Sequence, residues 1–346
     1  MVGPYRTLAK LGRCTISIRG MRFDELWAAK TPTAAASRIL LTPTSWLYAF
    51  GWQVYASVYR LGLKRAAEPH KPILCVGNLV VGGSGKTPAT LAIAGLLQSM
   101  GESVVVGMSG YGSPHSEAAA VAPQGPLDAA EWGDEPAMVR WLAPEVPLIV
   151  GRRRVLAAEL ATKHFPGSVL LMDDGFQHLP LRKHLTLLID PANPPNVRCL
   201  PAGPYREPRS NRCNADLVFG DKFAIERKPL RFVDPAGKPS DAPKTANMLC
   251  AIGSPESFAE SLAEAGVSVA GQVRGPDHDP LTAGNLFDGL DRSTALVVTA
   301  KDWVKLRSRS DLDERPILIA LQDASIEPEA DFRTWLGERL AQIRDS

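Results

Sequence analysis

The chain has 346 residues, 45% of them apolar and 22% charged, which predicts one large or two moderate domains with an ordinary globular core. A formal net charge of +2 gives no global field to recruit nucleic acid. Cys14, Cys75, Cys199, Cys213 and Cys250 are odd in number and form no C-x-x-C, which argues against a disulfide framework or a zinc site and leaves a reducing cytoplasm as the default.

Residues 1–20 carry basic residues but no continuous apolar core, so no signal peptide is expected, and 1–35 are read as an N-terminal extension. Residues 36–68 are read as an aromatic, basic helix. Leu40, Leu41, Trp46, Leu47, Tyr48, Phe50, Trp52, Val54, Tyr55, Val58 and Tyr59 crowd there, interrupted by Gln53, Ser57 and Arg60, so a membrane-spanning helix is not expected. Tyr48, Trp52, Tyr55 and Tyr59 share one helical face, and Arg60, Lys64 and Arg65 follow. Rings beside basic residues suit a lipid headgroup interface. The alternative is a helix that packs the same stripe into the core.

Ile73 to Val76 reads as a buried strand. Gly82, Gly83, Ser84 and Gly85 follow, then Lys86, Thr87 and an Ala/Leu-rich helix to Met100. Strand, glycine loop, Lys-Thr and helix in this order predict a phosphate-binding loop. Its backbone N–H groups and helix N-terminus cradle phosphate, Lys86 reaches the β/γ-phosphates and the Thr87 hydroxyl holds Mg²⁺. Val80 stands where the usual pattern has its first glycine.

Further strands are predicted at Val104–Met108, Pro147–Val150, Ser168–Met172 and Leu185–Asp190, alternating with helices, while 113–130 reads as a surface excursion. This pattern predicts a doubly wound, mostly parallel α/β sheet in a core of residues 69–230, with ligands outside the strand C-termini. Asp173 and Asp174 end a Walker B-like strand and are expected to fix the metal. Asp134 and Glu135 form a second acidic pair, and Arg206-Glu207 lie in a Pro-rich connection where they could meet phosphate or metal. Residues 231–346 read as a smaller α/β lobe, and no internal repeat is visible.

Several motifs, in order, resemble one family, the tetraacyldisaccharide 4'-kinases of lipid A biosynthesis. They are Val76-Gly-Asn-Leu79 with Gly82-Gly-Ser-Gly-Lys-Thr-Pro88, Gly133-Asp-Glu-Pro136, Asp173-Asp-Gly-Phe-Gln-His178, Leu200-Pro-Ala-Gly-Pro204 with Arg206-Glu-Pro208, Pro276-Asp-His278 and Lys301-Asp-Trp-Val-Lys-Leu306. The resemblance covers about Leu41 to Leu321 and accounts for Val80, because the family's loop also lacks that glycine. It implies a P-loop NTPase core and transfer of phosphate from ATP to the 4'-hydroxyl of a lipid disaccharide 1-phosphate, at the cytoplasmic face of a bacterial inner membrane. It also implies Asp134 as the catalytic base with His278 beside it, and Glu135 with Thr87, Asp173 and Asp174 near Mg²⁺. Tyr111, Arg152, Gln177, His178, Arg206 and Glu207 are implied at substrate or phosphate.

Three departures stand out. An arginine is missing between Ser109 and Gly110, so a phosphate or substrate contact is either lost or taken over by Arg152, Arg153 or Arg154. Asp279 follows His278, and His184 stands where the family has an aspartate. Two other readings remain from the residues alone: a membrane-associated P-loop ATPase or GTPase switch, and a soluble P-loop kinase of a metabolite. No protein partner is predicted.

Overall fold

The structure is a computed structural model that describes residues 6–7, 23–29, 31–83, 85–312 and 315–346. Most of the expected N-terminal extension, and Ser84 of the glycine loop, lie outside the described residues. The chain opens with β1 (Arg6–Thr7), α1 (Phe23–Ala28) and the long α2 (Pro32–Arg60). Helix α2 begins where the sequence offers a cap: Thr31 Oγ1 accepts from Ala34 N at 3.3 Å, and Pro32 occupies the first turn. Among the described residues, no helix is long and apolar enough to cross a membrane.

The core follows as β2 (Ile73–Asn78), α3 (Lys86–Ser99), β3 (Val104–Met108), β4 (Ala120–Val121), α4 (Ala129–Trp132), α5 (Asp134–Leu142), β5 (Leu148–Val150), α6 (Arg154–His164), β6 (Val169–Asp173), β7 (Leu185–Ile189) and β8 (Leu217–Phe219). Its seven strands run in the order β4-β5-β3-β6-β2-β7-β8. Neighbours are parallel except β4, which lies antiparallel on the β5 edge. Every residue of β2, β3 and β6 is buried, as a parallel sheet covered on both faces requires. Leu74 and Val76 fill one core layer, and Ile73 and Cys75 the other. The expected excursion at 113–130 is not wholly loop. It contributes the edge strand β4, helix α4 and the buried Leu127.

Then come β9 (Ala224–Arg227), β10 (Arg231–Val233), β11 (Pro239–Ser240), β12 (Thr245–Cys250), α7 (Pro255–Glu264), β13 (Ser268–Arg274), β14 (Leu296–Thr299), α8 (Ala300–Leu306), β15 (Ile317–Leu321), β16 (Ala324–Glu327) and α9 (Glu329–Asp345). A second sheet takes the order β1-β13-β12-β14-β15-β10-β11. Strands β9 and β16 pair with each other, so the outgoing and returning passages between the two sheets form one ribbon. Helix α9 returns to the first lobe, where Phe332, Leu336 and Leu340 are buried in the layer that holds α3.

Helix α2 turns its aromatic stripe toward the protein. Trp52 Nε1 donates to Glu207 Oε2 at 2.8 Å, Tyr48 Oη donates to the Arg206 carbonyl at 2.7 Å, and Gln53 meets Asn211 at 2.9 Å. Tyr55 packs its ring between those of Trp52 and Tyr59. The face left outward is a different one: Ile39, Leu40, Trp46, Leu47, Phe50 and Val54, with Leu47 72% and Phe50 69% exposed. These residues recur at spacings of four and seven, which draws them into one stripe.

Candidate active site

The nucleotide half of the site grows from β2. Gly77 is required near its end because the Phe176 Cβ would stand 2.5 Å from any Cβ placed there. The Asp173–His178 segment can cross β2 only over a bare backbone. Gly85 then enters α3 with φ of +77°, a conformation that favours glycine. Lys86 and Thr87 thereby open the helix directly beside the end of β6, which pairs with β2 from Ile73↔Leu170 to Val76↔Asp173.

At this strand end Asp173 accepts from Thr87 Oγ1 at 3.0 Å and from Thr90 Oγ1 at 3.1 Å. Burial pushes the Asp173 carboxyl up to about 6, helped by the charges of Glu135 and Asp174; Lys86 and the Thr87 hydroxyl only partly oppose this. Asp174 is used differently. Arg206 Nη1 lies 2.9 Å from both of its oxygens and Lys86 Nζ lies 3.6 Å away. Burial would raise the Asp174 carboxyl, but these two cations hold it below the ordinary value. Arg154 lies beneath, buried, donating to the carbonyls of Asp173 and Asp174.

The second half of the site is built between lobes. Asp134 begins α5, and its Oδ2 lies 2.9 Å from His278 Nδ1, a residue on the loop after β13. A carboxylate only accepts, so the Nδ1 proton points at Asp134. Burial would raise the Asp134 carboxyl, but the His278 hydrogen bond and the Lys301 charge outweigh it and lower it. The same hydrogen bond raises His278 despite burial and despite Lys301. Tyr111 lies over the His278 ring, with centroids 4.8 Å apart.

Lys301, in the first turn of α8, reaches into this cluster. Its Nζ is 3.0 Å from Asp277 Oδ1, 3.7 Å from Asp134 Oδ2 and 3.7 Å from Glu135 Oε1. The rest of the Lys301–Leu306 motif holds the loops. Asp302 accepts from Ala251 N at 3.1 Å and pairs with Lys305 at 2.8 Å, and Lys305 donates to the Asp279 carbonyl at 2.9 Å.

Some expected residues are placed elsewhere. Glu207, only 3% exposed, accepts from Trp52, Gln177 and Asn211, so it anchors α2 to the core and has no free oxygen turned to phosphate or metal. Gln177 is likewise spent, bridging the Asn78 carbonyl and Glu207. Arg152 is exposed and pairs with Glu117 at 2.7 Å, and Arg154 is committed to carbonyls, so neither stands in for the missing arginine in this arrangement. Burial, then the charges of Arg154 and Lys183, push the His178 imidazole down to about 4, which leaves it neutral. His184 bridges Glu68 at 2.7 Å and the Ile73 N–H at 3.0 Å, pinning β2 from below rather than touching the site.

Lys301, Asp277 and Thr90 are the members that residue-by-residue reading missed; Arg154 was named, but for phosphate or substrate rather than for the carbonyls it holds. Thr90 had a signal, one helical turn after Thr87; Lys301 had one only as part of a motif.

Comparison with known proteins gives the family. The family model of LpxK, Tetraacyldisaccharide-1-P 4'-kinase, matches residues 37–341. A tetraacyldisaccharide 4'-kinase of Bradyrhizobium sp. (strain ORS 278) is 35% identical over 89% of this chain and 95% of its own. That of Rhodopseudomonas palustris (strain BisA53) is 33% identical over 94% of this chain and 98% of its own. Among solved structures, the "apo" form of LpxK from Aquifex aeolicus in complex with ATP superposes with a TM-score of 0.75 at 24% identity, over 88% of this chain and 99% of that one. That likeness carries the fold, a P-loop core with a second α/β lobe. With the family match spanning residues 37–341 and these relatives aligned over most of both chains, the chain belongs to the tetraacyldisaccharide 4'-kinase family.

Proposed function

We propose that this chain transfers the γ-phosphate of ATP to the 4'-hydroxyl of a tetraacyldisaccharide 1-phosphate, working at the cytoplasmic surface of a bacterial inner membrane. The observation that carries the reading is the convergence of two halves. The Thr87–Asp173 pair at the glycine loop and the Asp134–His278 pair between lobes meet through Glu135, whose charge is felt at Asp173.

In this reading the loop amides, Lys86 and the N-terminus of α3 bind the phosphate chain. The donor set suits Mg²⁺, a hard cation that takes oxygen ligands and keeps some of its waters. Thr87 Oγ1 and Asp173 Oδ2 lie 3.0 Å apart, and the buried Asp173 carboxylate is short of positive charge. Bound between them, the ion would neutralise charge on the β- and γ-phosphate oxygens. Asp174, tied to Arg206 and Lys86, is better placed to orient those cations than to ligate metal.

Asp134 takes the proton of the sugar hydroxyl as the bond to phosphorus forms, and His278 holds the carboxylate in place. Lys301 balances the charge of Asp134, Glu135 and Asp277. The outward stripe of α2, with Arg60, Lys64 and Arg65 beyond it, gives the lipid substrate's membrane a docking face.

The test is a product assay with γ-labelled ATP, Mg²⁺ and the lipid disaccharide 1-phosphate in mixed micelles. Label in the lipid is expected. Label released only as inorganic phosphate, in the presence of acceptor, would identify an ATPase instead.

A further inference from the structure

Strands β9 and β16 are the only two passages of the chain between the first sheet and the second among the described residues after β2. They pair antiparallel, with Ile225 opposite Ile326 and Arg227 opposite Ala324. Ile225 and Ile326 pack into the layer that holds α3. Alternate residues of a strand share a face, so Arg227 points to the same side as Ile225. Its guanidinium ends at the glycine loop: Nη2 lies 3.9 Å from where a Cβ on Gly85 would stand.

The other cations around the loop are already engaged. Lys86 and Arg206 meet Asp174, and Arg154 is buried under two carbonyls. Arg227 is exposed, and among the described residues it has no carboxylate within ion-pair distance and no side-chain hydrogen bond. An exposed, uncommitted guanidinium beside a helix N-terminus and a glycine loop is built for phosphate, which it can meet with two parallel N–H donors.

We infer that Arg227 contacts the phosphate chain of the bound nucleoside triphosphate and so ties nucleotide binding to the ribbon joining the lobes. This rests on the nucleotide reading of the loop and adds to it a residue from outside the loop's own strand and helix.

The experiment compares the full chain with R227M and R227K by thermal shift and calorimetry, using MgATP and inorganic tripolyphosphate as probes. The nucleotide-free melting temperature should stay the same, because Arg227 holds nothing in the folded chain. R227M should bind both probes on the order of tenfold more weakly, the loss expected for a charged hydrogen bond, and R227K should recover part of it. Undiminished binding by R227M overturns the inference while leaving the loop assignment intact. So does a loss for ATP with tripolyphosphate unaffected, which would place Arg227 at the base. If the parent chain binds neither probe, the nucleotide reading fails, and this one with it.

Discussion

Asp134 and His278 are 144 positions apart in sequence and 2.9 Å apart in space. Asp134→Ala should lower kcat by roughly 10²–10⁴-fold with little change in KM for ATP, as loss of a general base does. His278→Ala should do the same more mildly, and steady-state kinetics of the double variant should show less than the sum, because the pair acts as a unit. Additive losses would separate the two residues. Asp173 makes the opposite trade, between stability and function. Its folded carboxyl is raised to about 6 from an ordinary 3.8, so the native state holds the proton more tightly than the unfolded chain. Sign follows: the nucleotide-free protein loses stability as pH climbs from about 4 through 6, and the full penalty stands at neutral pH. Asp173→Asn should therefore melt higher than the parent at pH 7.5 without nucleotide, while activity is lost and the stabilisation by MgATP shrinks. Equal melting curves would mean the carboxylate is better compensated than its burial implies. The Lys-Thr and Asp-Asp members of the site were legible because they lie within short motifs with a strand on one side. The commitments of Glu207, Gln177 and Arg152 were not, since a polar residue in a loop reads the same whether its partner is a ligand or Trp52.

At the scale of elements, periodicity found α2 but left open whether its aromatic stripe meets lipid or protein, and the stripe packs on the protein. The helix is apolar on two sides, and nothing local distinguishes a stripe that meets lipid from one that meets protein. What decides is Glu207, a buried carboxylate over 150 residues downstream that needs the Trp52 N–H. Trp52→Ser should then cost about 1–3 kcal/mol in chemical denaturation, since it strips a donor from a buried acceptor. Leu47→Asp with Phe50→Asp should leave that stability unchanged and weaken cosedimentation with anionic vesicles, because interfacial affinity follows buried apolar area. Vesicle binding that persists in the double variant would show that α2 does not carry the contact. The parallel core strands were legible with ends correct to about one or two residues, being short apolar runs between turns. Strand β4 was not: two residues, Ala120 and Val121, paired only on an edge, leave no periodic trace. Nor was the packing of α9 against the first lobe, because an amphipathic helix states that it has a partner and not which one.

For the whole molecule, the site exists only while the two lobes are docked, and the docking runs through α5 and α8. Met138, Trp141 and Leu142 of α5 pack against the apolar core of the second lobe, and Arg307 donates to the Leu127 carbonyl across the same seam. This apolar contact sets the spacing; the charges at its rim set the chemistry. Lys301 is the one ammonium within 4 Å of Asp134, Glu135 and Asp277 among the described residues. Burial alone would lower Lys301, yet these three carboxylates hold it raised, so it stays charged. Lys301→Met removes that charge from a group of side chains largely shielded from solvent, where each Coulomb term is stronger than in water. The three acids would then repel, and Asp134 would lose its geometry toward His278 and toward the incoming hydroxyl. Because the apolar seam is untouched, the melting temperature should fall only modestly, by the equivalent of about 1–3 kcal/mol. Turnover should fall on the order of 10–100-fold, the loss seen when one preorganised charge is removed from a reacting centre. KM for ATP should barely move, since among the described residues Lys301 pairs with Asp134, Glu135 and Asp277 and with none of the glycine loop, and Lys301→Arg should restore part of kcat by keeping the charge. The measurement is kcat and KM for ATP in the parent and both variants at saturating lipid. A rise in KM with kcat preserved would move Lys301 out of the proton-transfer half of the site and into the nucleotide half.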